Sequence, residues 1–229
     1  MTARPSRALI VHAHPEPRSF CTSAAHMALH SLRSQSCNVD FIDLYARQFN
    51  PVLTRDEFPS FNGVFFKPQR EQWNATKNGT LPEEVQADLD LLLRSDLLVL
   101  SFPLWWFSMP AILKGWLDRV FAMGAVAGGD LGTYDNAALT GRRAVVLTST
   151  GGPAEAFTDS GAFGNIDDFL FHINRGILEF VGYDALEPIV TYGPAHIDDA
   201  RRTSALAHVG HAFDTLCERP LASTSRRHL

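Results

Sequence analysis

Three short stretches carry residue types suited to holding a flat, phosphate-bearing ligand. The first is His12-Ala13-His14-Pro15-Glu16-Pro17-Arg18-Ser19-Phe20, where two prolines impose a loop and Ser19 is a good N-cap for a following helix. Free backbone N–H groups at such a helix start, on the positive end of the helix dipole, suit a phosphate. The second, Phe102-Pro103-Leu104-Trp105-Trp106-Phe107, offers planar stacking surfaces. The third is Thr148-Ser149-Thr150-Gly151-Gly152-Pro153. Its glycines let backbone amides approach a ligand closely, and its hydroxyls can hydrogen-bond a polar ring edge. Phosphate, aromatic ring and ring edge together describe a nucleotide-like cofactor, most simply a flavin. No GxGxxG follows the first apolar run and no GxxxxGK[ST] occurs, which disfavours a Rossmann NAD site and a P-loop.

Each stretch also has a plain structural explanation. His12 and His14 could be loop histidines making local hydrogen bonds, any one aromatic could be core, and Thr-Gly-Gly is often a turn. Their conjunction on one rim favours the ligand. Cys21, at the helix start, reads as a small buried residue with no nucleophilic role. His208 and His211 share a helix face, but no third ligand is fixed by spacing, so no metal site is assigned. Asp167-Asp168 and Asp198-Asp199 fall at helix starts, where capping explains them.

The elements that must position these stretches are legible as apolar runs. Ala8 to Val11, Val39 to Leu44, Leu97 to Leu100, Ala144 to Leu147 and Ala185 to Val190 read as five strands. Helices are expected from Ser19 through Leu32, over Pro82 to Ser95, from Pro110 to Phe121, over Phe169 to Phe180 with Gly182 as its stop, and over Asp198 to Leu216. Ala122 to Asp135, rich in glycine and alanine, reads as a flexible loop. Strands alternating with helices predict a doubly wound α/β parallel sheet, and the flavodoxin-like order 2-1-3-4-5 is the commonest five-stranded version. In that order the three stretches leave adjacent strand ends and form one rim.

The chain has 229 residues, of which 45% are hydrophobic and 20% charged, enough to bury a sizeable core. We expect one flavin-binding domain over residues 1–220, with a long polar loop at 45–80 inserted and a polar tail at 221–229. The inserted loop carries Phe49, Phe58, Phe61, Phe65, Phe66 and Trp73, which need a surface to cover them, such as a second subunit. A net charge of -5 gives no basic surplus for nucleic acid. No run is long enough to span a membrane. Three unpaired-looking cysteines and the lack of a signal-peptide h-region point to the cytoplasm.

The segments ALIVHAHPEPRSF (Ala8 to Phe20) and FPLWWFSMPAILKGWLDRVF (Phe102 to Phe121) carry a specific resemblance, supported by Thr150-Gly151-Gly152, Leu186-Glu187-Pro188 and Thr191-Tyr192. The chain resembles the NAD(P)H:quinone oxidoreductase (DT-diaphorase-like) family of the flavodoxin-like superfamily, over nearly its whole length to about Arg202. The resemblance implies a homodimer with FAD at the subunit interface and a ping-pong reaction. In it, NAD(P)H gives a hydride to flavin N5, and a quinone takes it from the same stacking position.

By the same resemblance, His14, Ser19 and Phe20, with Cys21 where the family has asparagine, match the loop holding the ribityl–pyrophosphate. Pro103, Leu104, Trp105, Trp106 and Phe107 match the ring-binding segment. Thr150, Gly151 and Gly152 match the loop at the ring's polar edge, Arg201 falls near an adenosine-side arginine, and His196 matches a histidine at the substrate mouth. Gly151, Gly152 and His196 are the residues expected nearest the chemistry. The family's tyrosine–histidine pair after Thr-Gly-Gly is replaced by Phe157 and Phe163, which neither donate nor accept a proton. Two pocket tyrosines fall at Gly128 and Asp130. An FMN-dependent azo or nitro reductase, and a flavin-binding regulatory subunit of a membrane transporter, are the alternatives.

Overall fold

The protein is described here by a computed structural model covering residues 4–222. Five strands, β1 (Arg7–His12), β2 (Asn38–Asp43), β3 (Leu97–Pro103), β4 (Arg143–Thr150) and β5 (Asp184–Tyr192), form an all-parallel sheet in the order β2-β1-β3-β4-β5. The helices are α1 (Phe20–Ser34), α2 (Pro68–Asn78), α3 (Glu83–Arg94), α4 (Ala111–Val120), α5 (Ile166–Ile173) and α6 (Asp199–Asp214). The near-continuous apolar strands reflect burial on both faces. Leu9 and Val11 of β1, with Leu98, Leu100 and Phe102 of β3, pack in the layer of α3, α4 and α5. Ala8 and Ile10, with Leu97 and Val99, face α1 and α6. The chain reverses its progress across the sheet between β1 and β3, and the carboxyl ends of strands at such a point leave a crevice open.

Several expectations need correcting. β3 does not stop at Leu100 but runs through Pro103, with Phe102 paired to Thr148 and Pro103 to Ser149. Proline is tolerated in this central strand because its missing N–H faces the side that β1 has already left, after His12 pairs with Ser101. His12 is not a loop residue; it ends β1 and is fully buried.

The stretch 45–80 is not all loop, since it contains α2, with Pro68 at its first turn and Gly79 in the left-handed cap position. Few apolar residues mark α2. It is held by Gln72 Nε2 donating to the Asp118 carbonyl (2.8 Å) and by the Thr76 hydroxyl donating to the Met123 carbonyl (3.0 Å). Trp73 lies against the Gly124–Gly129 turn, where a Cβ on Gly129 would come within 1.9 Å of the indole. Gly124 and Gly129 are thus required by close packing on Trp73, Gly128 by packing on Met123 and Gly132 by packing on Asn136, rather than by flexibility. Phe49 and Phe58 of the inserted stretch are buried within this chain, while Phe65 is exposed.

The helix expected at Phe169 begins earlier, at Ile166, where the Asn165 side chain caps Asp167 N–H. It then widens into a π turn at Asn174–Leu178 and tightens to a 3-10 turn before Gly182. The extra residue rotates Phe180 off the core-facing stripe, and its ring packs on Tyr134 instead. Of the stretch expected as a tail, Ala222 is buried and its N–H donates to the Ala185 carbonyl at 2.8 Å. Residues 223–229 lie outside the described residues. Among the described residues no helix is long and apolar enough to cross a membrane.

Candidate active site

A cavity of about 540 Å³ opens at the carboxyl ends of β1, β3 and β4. His14, Ser19, Phe20 and Cys21 line one side, and Pro103, Leu104, Trp105 and Trp106 the floor and wall. Ser149, Thr150 and Gly151 line the next edge, and Pro194, Ala195 and Arg202 close it from beyond β5. Its size lies within the range of small-molecule and cofactor sites.

The β1 side is a loop closed on itself. Ser19 caps α1 by accepting the Thr22 N–H at 3.0 Å. The Glu16 carbonyl accepts the Ser19 N–H (3.1 Å) and the Thr22 hydroxyl (3.0 Å). His14 Nδ1 lies 3.0 Å from the Glu16 amide nitrogen and 3.2 Å from the Glu16 carbonyl, so this nitrogen turns toward the loop backbone. Burial lowers the pKa of His14, so the ring is a neutral donor near pH 7. The remaining α1 amides at Phe20 and Cys21 stand at the cavity edge, as an anion site requires. Burial pushes the Cys21 thiol up to about 12, and its hydrogen bonds with the Ser101 and Ser149 side chains act the other way. It is therefore a neutral lining group and not a nucleophile.

The aromatic stretch is a tight two-residue hairpin. Trp105 N–H donates to the Ser108 carbonyl and Ser108 N–H to the Trp105 carbonyl, both at 3.0 Å. The two central residues, Trp106 (φ 51°) and Phe107 (φ 58°), adopt the left-handed conformation that glycine and asparagine usually fill. Each bulky residue there costs about 1–2 kcal/mol. Trp106 is 96% exposed, so its packing does not repay that cost within this chain. The strain holds a large flat ring at the cavity mouth.

The third edge rests on glycine. A Cβ on Gly151 would meet nothing within 4 Å, so open space stands over its Cα. A Cβ on Gly152 would come within 2.9 Å of Phe163 and 3.3 Å of Phe157. Gly152 abuts an aromatic group in which Phe107 stacks on Phe169 (4.5 Å between centroids) and meets Phe163 edge-on (5.6 Å). Phe157 packs between Phe163 (5.3 Å) and Tyr192 (5.7 Å). Tyr192 is the one ring of this group bearing a hydroxyl, and burial raises its pKa, followed by the charge of Asp167.

The structure thus brings together His14, Ser19, Phe20, Cys21, Pro103, Leu104, Trp105, Trp106, Thr150 and Gly151 around one space. Phe107 and Gly152 stand behind that edge, in the aromatic group. His196 is exposed on the turn Pro194–His196, next to the lining residues but not among them. Arg201 is exposed and does not line the cavity; its neighbour Arg202 does. Arg202 donates to the Pro194 carbonyl (3.3 Å) and the Ile197 carbonyl and pairs with Asp199, which pins it at the start of α6. The sequence carried a signal for Arg202 only as one of two adjacent arginines. Ser149 was marked by its stretch, whereas Pro194 and Ala195 carried none.

Comparison with known proteins agrees with this geometry. The model of the flavodoxin-like fold family matches residues 6–212. Ribosyldihydronicotinamide dehydrogenase [quinone] of Pongo abelii is 35% identical over 223 residues, covering 96% of each chain. NAD(P)H dehydrogenase [quinone] 1 of Cavia porcellus is 34% identical over 206 residues, covering 88% of this chain and 74% of that one. A crystal structure from Klebsiella pneumoniae, described as that of a quinone reductase, superposes with a TM-score of 0.89 at 33% identity, covering 94% of this chain and 86% of that one. With its parallel sheet, its rim cavity and relatives matched end to end, the chain belongs to the NAD(P)H dehydrogenase (quinone) family of oxidoreductases, on the flavodoxin-like fold.

Proposed function

We propose that this protein is an FAD-dependent NAD(P)H:quinone oxidoreductase that works as a homodimer. The observation that carries this is the cavity itself, where a helix start, an aromatic wall and an open glycine edge line one space. When bound, a flavin supplies a ring that accepts hydride from a nicotinamide and passes it to a quinone. The chain's own part is binding, orientation and exclusion of water. The α1 start, capped by Ser19, would hold the phosphate through the Phe20 and Cys21 amides beside the neutral His14 ring. Trp105 and Trp106 would cover the ring, and the Gly151 and Gly152 amides would meet its polar edge.

The rings of Phe107, Phe157, Phe163 and Phe169 at that edge carry no titratable group, and the one hydroxyl beside them is that of Tyr192, against Phe157. Backbone N–H groups at this edge would meet charge on a bound ring, and solvent would supply the proton that completes quinone reduction. His196, exposed beside Pro194 and Ala195, is placed to meet the second substrate at the mouth. The 96% exposed Trp106 and the exposed Phe65 support a partner copy that covers them. Chromatography of the flavin released by boiling, together with turnover of NADH and NADPH against a quinone panel, tests the proposal. Released FAD with quinone turnover is expected. FMN with azo or nitro turnover would replace it, and bound flavin that neither nicotinamide reduces would leave a regulatory role.

A further inference from the structure

His12 is the polar residue at the centre of a buried network that the site described above does not use. It lies at the last position of β1, fully buried, under the loop that leads into α1. Its Nδ1 is 3.1 Å from the Ser101 hydroxyl of β3, and its Nε2 is 3.1 Å from the Thr22 hydroxyl of α1. The Thr22 hydroxyl spends its one proton on the Glu16 carbonyl. Its lone pairs then receive the Ser19 hydroxyl (2.9 Å) and His12 Nε2–H. Nδ1 is left to accept from Ser101. One imidazole thus ties the central strand to the two residues that shape the phosphate side of the cavity.

We propose that His12 is a positioning residue for the cofactor loop, acting through the Thr22 hydroxyl to hold the Glu16 carbonyl and the Ser19 cap in their binding geometry. The inference rests on reading the cavity as a flavin site. Without His12 the Thr22 hydroxyl loses a buried donor, and it can rotate to serve Ser19 instead of Glu16. The loop Pro15–Ser19 then keeps its backbone turn, the His14 contact, the Glu16–Arg18 contact and the Ser19 cap on the Thr22 N–H, but loses the tie to the central strand. A lost buried hydrogen bond of this kind corresponds to about ten-fold or more in an equilibrium constant.

Two amide variants separate the branches. Glutamine places its amide near the imidazole Nε2 position and keeps the contact with Thr22. Asparagine reaches only the Nδ1 position and keeps the contact with Ser101. Flavin affinity of the full chain is measured by fluorescence quenching, and amide exchange of residues 15–23 is followed in the flavin-free protein. His12→Leu is expected to weaken flavin binding about ten-fold or more and to speed loop exchange by a similar factor, while β3 and β4 amides stay protected. His12→Gln restores both readouts and His12→Asn restores neither. Thr22→Val reproduces His12→Leu, and the double variant is no worse than either single one.

Wild-type affinity and loop exchange in His12→Leu would overturn the proposal. So would rescue by His12→Asn rather than His12→Gln, which would assign the role to Ser101. A wild-type protein that binds no flavin would defeat the cofactor reading instead, and loop exchange would still decide what His12 positions.

Discussion

Alanine at Gly151 and at Gly152 should separate the fold from the site. The backbone of Gly151 is outside the left-handed region, and an added Cβ meets nothing within 4 Å. The Gly151→Ala protein should therefore fold as well as wild type, with about 0.4–1 kcal/mol gained from a less flexible unfolded chain. The same methyl stands where a ring edge would approach the amide. Losing one amide hydrogen bond there costs about 1.5 kcal/mol, or about ten-fold in flavin affinity. At Gly152 the new methyl meets Phe163, which is 45% exposed and can swing out, and Phe157, which is 6% exposed and cannot. Overpacking of this kind costs about 1–3 kcal/mol of stability. Chemical denaturation of the flavin-free variants and flavin titration together read both effects. A Gly151→Ala protein with wild-type flavin affinity, or one that unfolds as early as Gly152→Ala, would refute the placement of the ring edge.

Trp106→Gly removes a left-handed tryptophan that packs on nothing in this chain; its thermal midpoint should hold or rise while flavin affinity or quinone turnover falls, and unchanged binding and turnover would remove Trp106 from the site. Asp88→Ala strips a buried carboxylate from Trp116 Nε1 (2.6 Å) and Arg47 (2.8 Å), so denaturant titration should show about 3–5 kcal/mol lost, and a loss under 1 kcal/mol would contradict that reading. Burial lowers the His12 pKa to about 4, overriding the attraction of Asp43. The unfolded chain then binds the extra proton first, so stability falls as pH drops from about 6.5 to about 4, by up to about 3 kcal/mol. His12→Gln should flatten that part of the stability-against-pH curve, and an unchanged slope would show that His12 does not carry it.

Strand positions were legible because four of the strands are short apolar runs, as burial on both sheet faces demands, and β2 at the sheet edge alternates; their order followed from the commonest five-stranded arrangement. Leu97 to Leu100 is the clearest case. The continuation Ser101 to Pro103 was not legible, since serine and proline argue against a central strand unless the neighbour is known to have ended. α2 was hidden for a related reason. It packs through Trp73 and side-chain hydrogen bonds rather than an apolar stripe, and its partner is a glycine turn whose composition alone reads as flexible.

The rim residues were found from strand ends and helix starts, features that depend on local sequence. What local sequence could not show was orientation around a long crossover. Arg201 and Arg202 differ by one step on α6, about 100° around the helix, and only the packed structure turns Arg202 toward the cavity. The left-handed hairpin at Trp106 and Phe107 was also invisible, because neither residue type favours that conformation. His12 looked like a loop histidine because a buried histidine at a strand end is defined by Ser101 and Thr22, partners that lie far apart in sequence.

The most direct measurement is anaerobic stopped-flow mixing of the flavin-loaded protein, first with NADH or NADPH and then with a quinone. The account predicts that the visible flavin band bleaches on the first mixing and returns on the second, with one quinone consumed per flavin. A band that neither nicotinamide bleaches, or that no quinone restores, would contradict it.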